Sequence, residues 1–332
     1  MPYYIVRVLI RISFITYFRK LYFIDSQKVP KKAPIIFAAN HPTAFLEPIM
    51  HAPYLDHVTY FILRGDYFES KWAKKVLSSL KIVPIFRQRD GMEKMRQNAN
   101  LFGMFQDMLH EKKNLTIMVE GSHDHRKHLR KVQRGTARMA LGTYKEYGDE
   151  DITILPMGVT FSDVQSVRSV AMIKFGEPIP LKDYLELYAQ NERKAMLNIT
   201  KDIQTRLRPC LVHLEDLEHY ENTNFVLDMY RNTQQLDLWK PFSKNATHVE
   251  AEISLAERIN QIPNIEALAH EVKTYQKQLQ NVGVKDLGLG KQEQFNIATT
   301  LTLLLLLPIF SIITLVHSPL IALVHFLKNK MK

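Results

Sequence analysis

The sequence predicts an α/β protein, with a central sheet flanked by helices, an appended α-helical region and a C-terminal hydrophobic segment. Three observations predict it. Short apolar runs rich in β-branched residues recur at 34–39 (PIIFAA), 82–86 (IVPIF), 115–119 (LTIMV) and 152–155 (ITIL), with the length of buried strands. Helical periodicity dominates residues 181–291, where strand character is low. Residues 295–326 contain no Asp, Glu, Lys or Arg. At 332 residues and 46% hydrophobic content the chain holds one large α/β domain plus appended helices, and disorder is excluded.

The first 24 residues are aromatic and aliphatic, interrupted by Arg7, Arg11, Arg19 and Lys20. Arg7 and Arg11 share one helical face and leave Ile5, Leu9, Ile12 and Ile15 to others, as in a helix lying in a membrane interface. A helix that covers the core is the competing reading. No small-residue cleavage site follows, so a signal peptide is not indicated. We assign residues 1–27 to this helix.

The strand-like run 34–39 leads into Asn40-His41-Pro42-Thr43-Ala44-Phe45-Leu46-Glu47-Pro48, and the prolines mark a loop running into a helix start. His41 and Glu47 thus follow the carboxyl end of a strand, where open α/β sheets bind ligands. Imidazole is a natural base near neutral pH, and a carboxylate on its other ring nitrogen sets the tautomer and stabilises the imidazolium. Taken alone, the pair reads equally well as a helix start with a dipole-complementing Glu47.

Two further runs end in polar groups. The run 82–86 ends in Arg87-Gln88-Arg89, and 115–119 ends in Glu120-Gly121-Ser122 followed by the basic loop 123–131 (HDHRKHLRK). The run 152–155 reaches Pro156 and continues as MGVTF. The histidines of 123–128 lack the i, i+4 arrangement with a helix-borne glutamate and stand among lysines and arginines that repel a cation, so this segment reads as a basic loop and not a metal site.

Over residues 33–180 the chain resembles the glycerolipid acyltransferase family, the phospholipid-synthesis enzymes that acylate glycerol 3-phosphate or its monoacyl derivative. Asn40-His41 with Glu47 match the family's first block, a histidine followed by an acidic residue. Pro84-Ile85-Phe86-Arg87 is similar to the second, and Val119-Glu120-Gly121-Ser122 to the third, usually Pro-Glu-Gly-Thr then arginine. Arg134-Gly135-Thr136-Ala137 matches the basic segment after it, and Leu155-Pro156-Met157 the fourth block. The pattern also departs from the family. Five residues separate His41 from a glutamate where the family has four before an aspartate, a spacing similar to the fungal glycerol-3-phosphate branch that favours the first acylation step. Val119 replaces the usual proline and His123 the usual arginine, which moves phosphate binding toward Arg126, Arg130 or Arg134.

The resemblance implies a mostly parallel or mixed sheet and transfer of a fatty acyl chain from acyl-ACP or acyl-CoA to a hydroxyl of glycerol 3-phosphate or 1-acylglycerol 3-phosphate. His41 is then the general base with Glu47 as its partner, and Arg87, Arg89, Glu120, Gly121, Ser122 and Arg134 are the substrate-binding set. Neither a metal nor a cofactor beyond the thioester co-substrate is expected. No serine or cysteine stands in a nucleophile-elbow pattern, which favours direct transfer over an acyl-enzyme. Backbone N–H groups near the Glu120-Gly121 turn are the expected oxyanion donors. Two alternatives stay open on the same scaffold: acylation of an amino-acid-based membrane lipid, and a non-catalytic lipid-binding or scaffold protein.

The formal net charge of +10 suits anionic membrane lipid as a partner, and no zinc-finger or aromatic RNA-binding pattern supports nucleic acid. A single cysteine, Cys210, fits a reducing compartment. Segments 189–207, 214–231 and 265–279 read as amphipathic helices, and 281–290 (NVGVKDLGLG) as a flexible connection. The uncharged run 295–326 is long enough for one kinked span or a re-entrant hairpin divided at Pro308 and Pro319. Lys328, Lys330 and Lys332 after it indicate a cytoplasmic end. The expected organisation is an interfacial helix at 1–27, a domain at 28–185, a helical region at 186–290 and a membrane-associated segment at 291–332.

Overall fold

The computed structural model describes residues 2–286 except 33, 44–45, 86–91 and 235–240, together with residues 301, 304–308 and 311. Strands β1 (Lys20–Ile24), β2 (Ile35–Ala39), β3 (Thr59–Arg64), β4 (Ile82–Ile85), β5 (Asn114–Met118), β6 (Thr153–Phe161), β7 (Val170–Phe175), β8 (Ile179–Pro180) and β9 (Phe242–Ser243) join in one sheet. The helices are α1 (Pro2–Tyr17), α2 (Leu46–Met50), α3 (Lys71–Ser79), α4 (Met92–His110), α5 (Gly135–Tyr147), α6 (Leu185–Gln190), α7 (Glu192–Leu207), α8 (Tyr220–Thr233), α9 (Thr247–Asn260) and α10 (Ile265–Val282).

The strand order is β4-β3-β5-β2-β6-β7-β1-β9, with β8 pairing β6 outside this path. The strands from β4 to β6 run parallel, β7 lies antiparallel to β6, and β1 and β9 run parallel to β7. The sheet is therefore mixed, with its sense reversed at one strand pair.

Alternation along the strands sorts the core into two faces. Ile36 and Ala38 of β2 pack with α4, α5 and α7. Ile35, Phe37 and Ala39 face the other way, with Phe14 of α1 and Met50 of α2. Both faces are covered, so β2 is buried at every position and its sequence reads as an unbroken apolar run.

The first 24 residues do not form one helix. The helix ends at Tyr17, and Lys20–Ile24 is a buried strand between β7 and β9. Leu21 and Phe23 enter one core and Tyr22 and Ile24 another, a two-sided burial that only a strand in mid-sheet provides. Its partners lie far along the chain, so nothing local in KLYFI announces it.

The expected boundaries at 27 and 185 likewise do not separate packed units, because residues 1–278 form one compact unit. The helical part is integral to it. Buried Ala195, Ile199, Ile203 and Leu207 line one side of α7 at helical spacing and enter the core under β2 and β5. At the end of α7 the backbone comes so close to the sheet that a Cβ on Gly158 of β6 would lie 2.2 Å from the Cys210 carbonyl oxygen, and one on Gly176 2.7 Å from that of Arg206. Glycine at 158 and 176 is what lets that contact form.

Residues 279–332 make a second unit. The expected membrane segment at 291–332 lies almost entirely outside the described residues. Those described there include helical Leu304, Leu305, Leu306 and Leu307, all exposed. Among the described residues no helix is long and apolar enough to cross a membrane.

The contact at Gly158 makes a prediction. Gly158→Ala should destabilise the protein by about 1–3 kcal/mol or more, because the obstacle is backbone and cannot rotate away. Gly148→Ala, where no atom lies within 4 Å of the added carbon but φ is +72°, should cost about 1 kcal/mol. Chemical denaturation of the two variants checks the ranking.

Candidate active site

The site is assembled where β2 and β5 end side by side. Ala39 is in register with Met118, and the Val119 N–H donates to the Ala39 carbonyl at 2.8 Å. The chain leaves β2 through α2 on one face and leaves β5 toward β6 through α5 on the other. A crevice opens between such diverging connections. Asn40 holds the start of the first loop by two hydrogen bonds to β6, with its Nδ2 donating to the Val159 carbonyl at 2.9 Å and its Oδ1 accepting from the Val159 N–H at 2.7 Å.

His41 follows. Its Nδ1 lies 3.3 Å from Oε1 of Glu47, which is fully buried, while the His41 side chain keeps 16% of its surface accessible. Local chemistry explains where Glu47 sits. Thr43 precedes α2, its hydroxyl accepting from the Leu46 N–H at 2.9 Å. Glu47 in turn takes the Thr43 backbone N–H on Oε1 and the Thr43 hydroxyl on Oε2. The two residues thus cap reciprocally, the hydroxyl taking a helix N–H and the carboxylate reaching back to the Thr43 backbone, as in a capping box. The five-residue spacing thus places the acid on the first turn of α2, facing back on the histidine. An ionised Glu47 accepts Nδ1–H and leaves Nε2 as the basic nitrogen.

Glu120 ties the two loops together. Its Oε2 accepts the backbone N–H of His41 at 2.8 Å, and its Oε1 accepts the backbone N–H of Arg130 at 2.8 Å. The Arg130 guanidinium reaches Oε2 at 3.3 Å and also donates to Ser122 Oγ at 2.6 Å and to the Ser122 carbonyl. With the side chain 3% exposed, these donors are what make an ionised carboxylate tolerable there. Glu120, expected among the substrate-binding residues, is thus engaged inside the protein. Gly121 takes φ +75°, which favours glycine, and its N–H donates to the Met118 carbonyl at 3.2 Å. That N–H is committed and is not an oxyanion donor.

The remaining candidates separate. Ser122 is exposed beside Arg130, and Arg134 is exposed further along the same strip at the start of α5. Arg87 and Arg89 lie outside the described residues. Arg126 is bound to Asp124, Nη2 to Oδ2 at 2.6 Å, and this hydrogen bond holds the Asp124 carboxyl down to about 2. The rings of His41 and His123 approach to 5.8 Å. Cys210 is buried, and burial pushes its thiol up to about 12, so it offers no thiolate.

Residues that the sequence did not single out anchor the basic loop from behind. Lys127 Nζ donates to the Ser162 carbonyl at 3.1 Å and to Asn224 Oδ1 at 2.6 Å, and burial lowers this lysine to about 8. Its N–H donates to the Tyr220 hydroxyl at 3.0 Å. The Leu129 N–H donates to Nδ1 of His213 at 2.7 Å, so that nitrogen is unprotonated, and burial lowers His213 to about 3. The only signal was the run HDHRKHLRK itself, and which of its charges turn inward depends on residues about 90 positions later.

Residues 20–160 match the acyltransferase family model. An uncharacterised acyltransferase of Schizosaccharomyces pombe is 27% identical over 50% of this chain and 24% of its own length. Glycerol-3-phosphate O-acyltransferase 2 of Saccharomyces cerevisiae is 25% identical over 57% of this chain and 25% of its own, and glycerol-3-phosphate O-acyltransferase 1 is 33% identical over 30% and 13%. The chain thus spans a quarter or less of the length of these curated relatives. A solved structure, the 1-acyl-sn-glycerophosphate acyltransferase PlsC from Thermotoga maritima, aligns over 59% of this chain and 75% of that one, with 14% identity and a TM-score of 0.42.

Removing the Glu120 carboxylate strands its donors. Glu120→Ala should cost about 2–6 kcal/mol in stability, since two half-buried N–H groups lose their acceptor at about 1–3 kcal/mol each. Amide exchange at His41 and Arg130 should accelerate more than at Ile36 or Leu115. Uniform acceleration across all four positions would show that the carboxylate stabilises the fold as a whole and does not pin the two loops.

Proposed function

We propose that this chain, whose residues 20–160 match the acyltransferase family model and which is similar to two glycerol-3-phosphate O-acyltransferases, moves a fatty acyl chain from a thioester to a hydroxyl of glycerol 3-phosphate or 1-acylglycerol 3-phosphate. The observation that carries the reading is His41 held by buried Glu47 at the end of β2. The names of the two Saccharomyces relatives and the five-residue spacing favour glycerol 3-phosphate and the first acylation step.

In this mechanism the acceptor hydroxyl approaches Nε2 of His41, which takes its proton as the oxygen attacks the thioester carbonyl. The imidazolium that forms is stabilised by Glu47 through Nδ1–H, without a proton moving to the carboxylate. Collapse of the tetrahedral intermediate breaks the carbon–sulfur bond, and the proton on His41 passes to the departing thiolate. No acyl-enzyme is needed. The thiol of Cys210 is buried and protonated, and Ser122 is engaged by Arg130 rather than by a base. Arg87 and Arg89 remain the proposed ligands of the acceptor phosphate, where a guanidinium fork makes two charge-assisted bonds.

We place the reaction at a membrane surface. Tyr4, Ile5, Val8, Leu9 and Ile12 form one stripe of α1, each more than half exposed. Arg7 and Arg11 do not compete with it. The Arg7 guanidinium binds the Leu55 carbonyl, and that of Arg11 lies over the Tyr54 ring at 5.6 Å. A lipid interface is the medium that accepts such a stripe, and the net charge of +10 adds attraction to anionic headgroups.

His41→Ala should lower kcat by about two to four orders of magnitude with an unchanged circular dichroism spectrum, and Glu47→Gln should fall between that variant and the wild type. Normal turnover by folded His41→Ala refutes the mechanism. For the membrane reading, Ile5→Asp with Leu9→Asp should weaken sedimentation with anionic vesicles several-fold while the melting temperature holds. Unchanged sedimentation assigns the stripe elsewhere.

A further inference from the structure

A groove of about 850 Å³ has no part in the reading above. One wall is Leu129 with the strip 131–134, which continues from the site through Arg130. That strip is pinned to the end of β5 twice, by the Arg130 N–H on Glu120 and by the Gln133 N–H on the Val119 carbonyl at 2.7 Å. A single carboxylate therefore connects the groove wall to the backbone of His41. The other wall is the outward stripe of α7 and its end, where Leu197, Lys201, Gln204 and Arg208 recur at helical spacing.

Charge and shape restrict the occupant. Lys131, Arg134, Lys201 and Arg208 line the groove, and among the described residues no carboxylate does. Arg208 bonds Glu215 at 2.8 Å, which leaves Lys131, Arg134 and Lys201 as exposed cations around one concavity. Such an arrangement concentrates positive potential and collects an anion with several charges. The volume lies in the range of small-molecule sites, whereas a docked acidic protein requires about 800 Å² of surface on each partner. Leu197, 40% exposed, supplies an apolar surface for a ring, and Gln133, Gln204 and Thr200 supply hydrogen bonds.

We propose that this groove binds the phosphorylated nucleotide end of a coenzyme A thioester, with Lys131, Arg134 and Lys201 on its phosphates and the pantetheine arm running along 129–134 toward His41. The assignment rests on the acyl-transfer reading for its purpose. It names coenzyme A, and not an acyl carrier protein, as the donor's carrier, and it moves Arg134 from the acceptor to the donor.

The test uses the full chain in detergent and the double variant Lys131→Glu with Lys201→Glu. Calorimetric titration with coenzyme A itself, without acyl group or acceptor, should show binding that the double variant weakens at least tenfold and that dephospho-coenzyme A reproduces only weakly. In turnover the KM for acyl-CoA should rise about tenfold with the acceptor KM unchanged. The kcat/KM for an acyl-pantetheine donor, which carries no phosphate, should be equal in the two proteins. Absence of coenzyme A binding to the wild type overturns the proposal, as does an equal loss with acyl-pantetheine. Charge reversal that spares coenzyme A but abolishes binding of purified acyl carrier protein or of anionic vesicles overturns it in favour of that occupant. Coenzyme A binding without acylation of glycerol 3-phosphate leaves the groove standing and removes the proposed acceptor instead.

Discussion

The site depends on the carboxylate of Glu120. An ionised acid with 3% of its side chain exposed is expensive unless donors surround it, and the donors it collects belong to both loops that form the crevice. Its cost of burial becomes a constraint: the His41 backbone and the Arg130 backbone are both held to one carboxylate. The histidine side chain is then oriented by a second buried acid, Glu47, which is satisfied by Thr43 before it meets the imidazole. Backbone and ring of the proposed base are fixed by separate carboxylates on separate segments. A base needs that precision, since proton transfer requires hydrogen-bond distance to the acceptor hydroxyl.

Everything behind the site serves to keep these two loops apart and still. Connections that leave β2 and β5 on opposite faces open the crevice, and the reversal of strand sense at β6 and β7 lets β1 and β9 extend the sheet past it. The segment beyond residue 185 closes the structure. Tyr220, His213 and Asn224 hold the basic loop by its backbone and by the half-buried Lys127, and the 206–210 turn presses on Gly158 and Gly176. The same segment supplies one wall of the groove assigned to the donor, so it supports the loop and shapes a binding surface at once.

Much of the fold was legible because its signals are local. The runs 34–39, 82–86, 115–119 and 152–155 overlap β2, β4, β5 and the start of β6, and α7 and α10 fall within a few residues of the periodic segments 189–207 and 265–279. His41 and Glu47 were legible as a pair only once the neighbouring blocks were read with them, and the structure joins them. Strand β1 was not legible, since five apolar residues after a helix read equally as more helix until two distant partners claim them. Nor was the short β9, two residues long and paired, among the described residues, with β1. Arg126, Arg130 and Arg134 look alike in the sequence, yet one binds Asp124, one braces Glu120 and one faces the groove.

The sequence by itself determined what depends on residue type and short spacing: an α/β class, strands that end in polar groups, a histidine and an acid six positions apart, a basic loop and a strongly positive chain. The tertiary structure decided what depends on residues brought from far away. It placed Lys20–Ile24 inside the sheet, made the helical half part of the same packed unit, and committed the carboxylate of Glu120 and the N–H of Gly121 to the protein itself. The physical reason is that a backbone hydrogen bond or a buried charge is satisfied by whichever partner the fold supplies, and 79 residues separate His41 from Glu120.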